Sequence, residues 1–209
     1  MEDKIEKLKT GTTTVGVICD GAVVLGAERK ATMGYLVASK DTSKIRRLDK
    51  HIAMTIAGLV GDAQALDRYI KAELKLYKLN EGKKMPVSAA ASLIANILYS
   101  RRFYPYIVQL VVGGYDDSPR LFSFDPTGGL QDEKEYFSTG SGCLTAFGVL
   151  EDKFKKKMPI EDAKKLVVRA VYAATKRDIA SGGSGIDVAV INSRGFHEVP
   201  DEEVKKLMK

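Results

Sequence analysis

The clearest chemical potential lies in the three threonines that follow Gly11 in "KLKTGTTTVGVICDG", residues 7 to 21. A threonine at a free chain terminus carries both halves of a catalytic pair, a hydroxyl nucleophile and an adjacent amine that accepts its proton. An unperturbed α-amine titrates near about 7.7 to 8.0, so a useful share of it is unprotonated at neutral pH. Within a longer chain the same nitrogen is an amide and cannot act as a base. Cleavage between Gly11 and Thr12 would therefore switch such a site on, and the leader before it would keep the chain inactive. Gly11 is expected to allow the backbone conformation that self-cleavage needs. The plainer reading is that Thr12, Thr13 and Thr14 are β-branched residues opening a strand.

Other candidates have equally plain alternatives. Lys44, in "DTSKIRRLDK", belongs to a charged run that is ordinarily solvated. Buried beside a hydroxyl, it would stabilise developing negative charge and depress the pKa of a neighbouring amine, with Glu28 as its counter-charge. "STGSG", residues 138 to 142, lacks the GxxxxGK[ST] spacing of a phosphate loop. It is then a turn between strand and helix, or one whose backbone amides hold an oxyanion. "RDIASGGSG", residues 177 to 185, is a helix C-terminus with a glycine stop, unless it folds back and brings Asp178 and Ser181 to Thr12. His51 and His197, the sole histidines, stand in unrelated contexts and argue against a Ser-His-Asp or Cys-His site. Cys19 and Cys143 are too few for a disulfide framework and lack metal-ligand spacing, so both are expected to be buried apolar residues in a reducing compartment.

The elements that must position these residues follow from periodicity. "TTVGVIC" and "AVVLGAE" are β-rich runs joined by Asp20 and Gly21, a hairpin signal of the type I′ turn. A two-residue loop pairs Thr12 with Arg29, which brings the first threonine beside residues 28 and 29. The ideal register nevertheless puts Glu28 on the opposite face from Thr12, unless a bulge intervenes. "HIAMTIAGLVGD", residues 51 to 62, predicts a buried strand ending in a glycine-rich turn. "AQALDRYIKAELKLYKL" then spaces Leu66, Ile70, Leu74 and Tyr77 as a helix, and "PVSAAASLIANILYS" starts a second helix behind Pro86. Strands are predicted for "YIVQLVVGGYD", "RLFSFD" and "EYFSTGSG", and helices for "LTAFGVLEDKF" and "PIEDAKKLVVRAVYAATKRDIAS". "IDVAVIN" and "FHEV" flank a turn at Arg194 and Gly195, and "PDEEVKKLM" closes the chain as a short helix. Segregated runs of strands and helices predict an α+β domain with antiparallel sheets.

Composition narrows the partners. The chain has 209 residues, of which 44% are hydrophobic, enough for one substantial core. Its net charge of +6 comes from 33 basic and 27 acidic residues that are interspersed. No basic run is interleaved with aromatics and there is no Trp, which argues against nucleic-acid binding. The absence of a signal-peptide core, or of a run of about 18 apolar residues, predicts a cytoplasmic protein without a membrane span.

Taken together, "GTTTVGV", "ERK", the lysine of "SKIRR", "MTIAGLVGDAQ", "STGSG" and "RDIASGG" resemble, in order and approximate spacing, the 20S proteasome β subunit of the archaeal type. The likeness runs from Gly11 to the final helix. It implies the N-terminal-nucleophile hydrolase fold, a four-layer αββα sandwich of two antiparallel sheets flanked by helices. Residues 1–11 would be a propeptide removed by autocleavage, and residues 12–209 a single catalytic domain. The resemblance implies a threonine endopeptidase in which Thr12 is the nucleophile, Glu28 and Lys44 lie beside it, and Ser141, Asp178 and Ser181 support its amine and hydroxyl. The backbone N–H of Gly58 would serve the oxyanion hole. Ala31, Ile56 and Val60 would line the specificity pocket, and their apolar character implies cleavage after hydrophobic residues.

Two departures from that pattern stand out. "STGSG" continues as "CLTAFG" where many relatives have a serine and a proline, and Arg46 lies near the expected pocket wall, where it would admit acidic side chains. The resemblance implies no metal, nucleotide or other cofactor for the chemistry. As partners it implies a seven-membered β ring stacked on α-subunit rings in a four-ring barrel of twenty-eight subunits, a regulatory ATPase, and unfolded polypeptide as substrate. Two alternatives are a ring-forming subunit of the same fold that does not cut, and a small-molecule amidase. Retention of Gly11, Thr12, Glu28, Lys44 and Ser141 argues against the first.

Overall fold

Strands β1 (Thr14–Cys19) and β2 (Ala22–Glu28) form the hairpin that the Asp20–Gly21 signal predicts. Their register runs from Cys19 opposite Ala22 to Thr14 opposite Ala27 with no bulge, and Glu28 N donates to Thr13 O at 3.4 Å. Glu28 therefore opposes Thr13, not Thr12, as the ideal register requires. The turn itself differs from the expected type I′. Gly21 has φ +68°, but Asp20 does not have positive φ, since Lys157 is the only described non-glycine residue that does. Loop length, rather than turn type, preserves the register.

The structure, a computed structural model, describes residues 11–208; the expected leader before Gly11 lies outside them. Beyond the hairpin, β10 (Tyr136–Thr139), β11 (Ile186–Asn192) and β12 (Gly195–Glu198) complete one antiparallel sheet, in the order β10-β1-β2-β11-β12. The second sheet runs in sequence order through β5 (Ile45–Asp49), β6 (Ile52–Gly58), β7 (Val108–Tyr115), β8 (Pro119–Phe124) and β9 (Leu130–Glu133). A separate two-stranded ribbon pairs β3 (Ala31–Met33) with β4 (Leu36–Ser39).

Helices cover the outer faces. On the second sheet lie α1 (Val60–Glu81) and α2 (Val87–Ser100), whose Leu66, Ile70, Ile94 and Leu98 pack on Ile52, Met54, Leu110 and Val112. On the first lie α3 (Cys143–Lys153), α4 (Ile160–Thr175) and α5 (Asp201–Leu207), with Leu150, Val167 and Val171 against Val15, Val17 and Val188. Between the sheets Val23, Leu25, Ala53, Val111, Leu121 and Ile191 form a thin middle layer. Glycines make room for it: a Cβ on Gly16 would stand 2.7 Å from Leu121, and one on Gly113 would stand 2.8 Å from Val23. Each fully buried Leu, Ile or Val contributes about 1.5–3 kcal/mol relative to exposure. The result is the expected αββα sandwich of two antiparallel sheets between helical layers.

Local boundaries depart from the sequence reading in instructive ways. Strand β6 stops at Gly58 and α1 begins at Val60, so "LVGD" opens a helix instead of forming a turn. Helix α4 ends at Thr175, which frees residues 176–181 from the helix they were expected to extend. Strands β3, β4, β5 and β9 were not anticipated, because they are short and carry charge or exposed positions. Cys19 is buried, and burial pushes its thiol up to about 11, as befits an inert apolar residue. Cys143 is only half-buried at the start of α3.

Candidate active site

Thr12 precedes β1 at the end of the first sheet and is itself buried, at 4% exposure. Its backbone is wrapped by the turn that follows β10. Thr12 N–H donates to Ser141 Oγ at 3.2 Å, and Thr12 O accepts from Gly142 N at 3.3 Å. The Ser141 hydroxyl in turn donates to Asp178 Oδ2 at 2.5 Å. The loop after α4 thus folds back to Thr12, and within "STGSG" the Gly142 amide holds the threonine's own carbonyl.

Asp178 also organises its own loop. Ser181 Oγ donates to the same Asp178 Oδ2 at 2.5 Å, and Ser181 Oγ lies 2.6 Å from Thr13 Oγ1. One directed chain therefore leads from the Thr12 nitrogen through Ser141 to Asp178, and a second approaches Asp178 from Thr13 through Ser181. Charge-assisted bonds of this kind are about twice as strong as neutral ones. They fix where a proton on the Thr12 nitrogen would be directed.

Glu28 and Lys44 form the second cluster. Glu28, fully buried, accepts hydrogen bonds from Thr13 N at 3.3 Å, Lys30 N at 2.7 Å and Gly182 N at 2.9 Å, and pairs with Lys44 Nζ. Lys44 Nζ also donates to Lys30 O at 2.6 Å. Burial pulls the Lys44 ammonium below the ordinary lysine range, and the Glu28 carboxylate opposes that shift. Next in sequence, Arg29 anchors the end of β2 through Asp187 at 2.6 Å and through both oxygens of Asp201 at 2.5 and 3.1 Å. The backbone partners at Lys30 and Gly182 went unrecognised in the sequence. The only signal was the Gly182–Gly183 pair, whose φ values of +144° and +96° suit glycine.

The two clusters meet at a cavity. Its walls include Gly11, Thr12, Ala31, Lys44, Arg46, Ile56, Gly58 and Val60, so all three expected specificity residues share one space with Thr12 and Lys44. Arg46 joins that wall, as its position in the sequence suggested. In this uncleaved chain Thr12 Oγ1 donates to Gly11 O at 2.6 Å, and among the described residues no hydrogen bond joins it to Lys44.

Space adds a reason for glycine at position 11. A Cβ there would stand 1.7 Å from Ala180 Cβ and 2.8 Å from Ser141 Oγ, so any side chain would have to displace Ala180 or the Gly11 backbone. Gly58, at φ +127°, is fixed twice over, since a Cβ would meet Ile107 O at 2.1 Å. Among the described residues no group of three or more His, Cys, Asp and Glu side chains is placed to hold a metal ion, and no helix is long and apolar enough to cross a membrane.

A four-layer sandwich with a threonine just before its first strand, wrapped by two glycine-rich loops, has the architecture of the N-terminal-nucleophile hydrolases. Comparison with known proteins then makes the assignment particular. The proteasome subunit family model matches residues 8–191. Relatives called proteasome subunit beta include one from Methanocaldococcus vulcanius, 49% identical over 95% of this chain and 89% of the relative. Another, from Methanococcus aeolicus, is 46% identical over 98% of this chain and 95% of the relative. A third, from Archaeoglobus fulgidus, is 48% identical over 97% and 95%. The chain belongs to the proteasome subunit family, among the archaeal β subunits. Membership implies assembly into a proteasome particle with α subunits and a threonine-protease type of hydrolase.

Proposed function

We propose that the chain is a catalytic β subunit, a threonine endopeptidase activated by its own cleavage between Gly11 and Thr12. The observation that carries this reading is the polar chain from Thr12 N through Ser141 to Asp178, beside a hydroxyl 2.6 Å from the Gly11 carbonyl oxygen. In the precursor, Thr12 Oγ attacks the Gly11 carbonyl carbon, the Gly11–Thr12 amide bond breaks, and the acyl group moves to oxygen as an ester. Water hydrolyses that ester, leaving residues 1–11 as a carboxylic acid and Thr12 with a free amine.

The mature cycle repeats the chemistry on a peptide. Thr12 Oγ attacks the scissile carbonyl, and its proton passes to the Thr12 amine, held by Ser141 and, through it, Asp178. Lys44, oriented by Glu28, stabilises negative charge at the reacting oxygen, and the Gly58 N–H receives the oxyanion. The ammonium then protonates the leaving amine, and water releases the acyl-enzyme ester. The ring assembly implied by the family, with seven β subunits per ring between α rings and a regulatory ATPase feeding unfolded chains, would confine this activity to a chamber.

Two variants test the reading. Gly11→Ala places a methyl against Ala180 and Ser141, so it is expected to slow release of the leader by at least about tenfold, because the scissile carbonyl moves off the hydroxyl. Leader release at the normal rate, followed by intact mass, contradicts it. Ile56→Arg charges an apolar wall of the cavity. It is expected to lower kcat/KM for a reporter peptide with a hydrophobic residue before the cut by about 10- to 200-fold. An unchanged preference for hydrophobic residues removes Ile56 from the specificity pocket.

A further inference from the structure

Strand β7 is buried from Leu110 to Gly114 and half-buried at Tyr115, whereas Gln109 is exposed between buried Val108 and Leu110. Its side chain is nonetheless engaged. Gln109 Oε1 accepts a hydrogen bond from Gly140 N at 3.0 Å. The amide's orientation follows from chemistry, because an N–H donor requires the oxygen end of the Gln109 carboxamide.

Gly140 is the point at which this bond acts. It has φ +92°, and its backbone lies so close to Thr12 that a Cβ would stand 2.0 Å from Thr12 O. From there the chain turns directly into Ser141 and Gly142, which hold the Thr12 nitrogen and carbonyl. The Gly140 carbonyl, for its part, accepts from Cys143 N at 3.2 Å within the same turn. The bond to Gln109 fastens this turn to the opposite sheet. Gln109 is opposite Ala57 in the β6–β7 register, next to the pair formed by Gly58 and Val108. The start of β7 therefore sets the positions of both Gly58 and the Ser141 turn.

We propose that Gln109 is a positioning residue for the Thr12 nucleophile, acting through the Gly140 amide to hold Ser141 against the Thr12 nitrogen. The inference rests on the threonine-peptidase reading. The bond spans the two sheets at their catalytic end and is exposed. Deeper in the same end, buried Thr55 Oγ1 donates to Thr14 Oγ1 across the sheets at 2.9 Å, and Thr14 Oγ1 lies 2.7 Å from Thr139 Oγ1 within the first sheet, so Gln109 is not the sole polar link there among the described residues. Loss of the tether then loosens the nucleophile without unfolding the domain.

The test uses the full chain assembled with its α subunits and a reporter peptide, with kcat and KM measured across pH. Gln109→Met, similar in length but without a strong acceptor, is expected to lower plateau kcat about tenfold while KM stays within about twofold, since small displacements of reacting groups are costly. Gln109→Glu retains an accepting oxygen and is expected to restore the plateau rate. It should also move the acidic limb of the profile to higher pH, because a carboxylate near the Thr12 amine favours its protonated form. Melting temperatures of both variants should match the unaltered particle. Unchanged kcat in Gln109→Met, or equal loss in both variants accompanied by lower melting temperatures, overturns the proposal while leaving the peptidase reading intact. An inactive unaltered particle overturns that reading and this inference with it.

Discussion

Thr12→Ala is expected to abolish peptide hydrolysis by the assembled particle, with a loss on the order of 10^6-fold in kcat, as for removal of other covalent nucleophiles. The substitution removes the hydroxyl that lies 2.6 Å from the Gly11 carbonyl oxygen, while the contacts of Asp178 with Ser141 and Ser181 do not involve the deleted atoms. Thr12→Ser retains the hydroxyl and, after cleavage, the amine, so it should keep a substantial part of the activity. The pair separates chemistry from packing, because alanine and serine both lack the threonine methyl. Comparable activity in the alanine and serine variants would show that another residue attacks the peptide.

Lys44→Ala should lower kcat by on the order of 10^2- to 10^3-fold, the usual effect of removing one preorganised electrostatic partner. The pH profile makes this prediction sharper. The rate should rise as the Thr12 amine loses its proton, at a pH below the unperturbed value of about 7.7 to 8.0 because the Lys44 ammonium beside it disfavours a second positive charge, and fall again as Lys44 loses its own. Burial lowers the Lys44 pKa, so the alkaline limb should fall below the ordinary lysine value of about 10.4. In Lys44→Ala that limb should vanish.

The sign for stability is the reverse of a salt-bridge habit. A lysine with a depressed folded pKa costs stability while charged. That cost is fully present below the folded pKa and is relieved as pH rises toward the unfolded value. Removing Lys44 leaves the Glu28 carboxylate buried without its cation, but three backbone amides still hold it. The destabilisation should therefore be smaller than the roughly 3–5 kcal/mol of a buried ion pair stripped of all support. A folded Lys44→Ala particle with normal turnover and an unchanged alkaline limb would remove Lys44 from the mechanism.

The sequence was informative where local chemistry decides structure. Asp20 and Gly21 set the hairpin length, and that length alone predicted that Glu28 would miss Thr12 and oppose its neighbour. The apolar spacing of Leu66, Ile70 and Leu74 marked α1, and all three are buried. Legibility failed where long-range packing decides. Strand β5 carries Arg46, Arg47 and Asp49, which hide a strand from any hydrophobic pattern, yet pairing with β6 makes it one. Residues 176–181 have a helical composition but leave the helix, and the loop they form carries Asp178 to Ser141.

Site residues show the same division. Thr12, Lys44 and Asp178 were singled out through motifs whose order matched a family, since spacing alone left each with a dull alternative. Gln109 had no such signal: a single exposed glutamine in a strand looks like solvated surface until the turn from the other sheet arrives at its side chain. The need for glycine at position 11 likewise became visible only with Ala180 in place, because the two are far apart in sequence.

The most direct test of the central claim is the intact mass of the full chain after assembly with its α subunits, beside a Thr12→Ala control. The account predicts that the unaltered chain loses residues 1–11 and begins at Thr12, while the control keeps them. An unaltered chain that stays whole in assembled particles, or a control that is cleaved at the same bond, would contradict it.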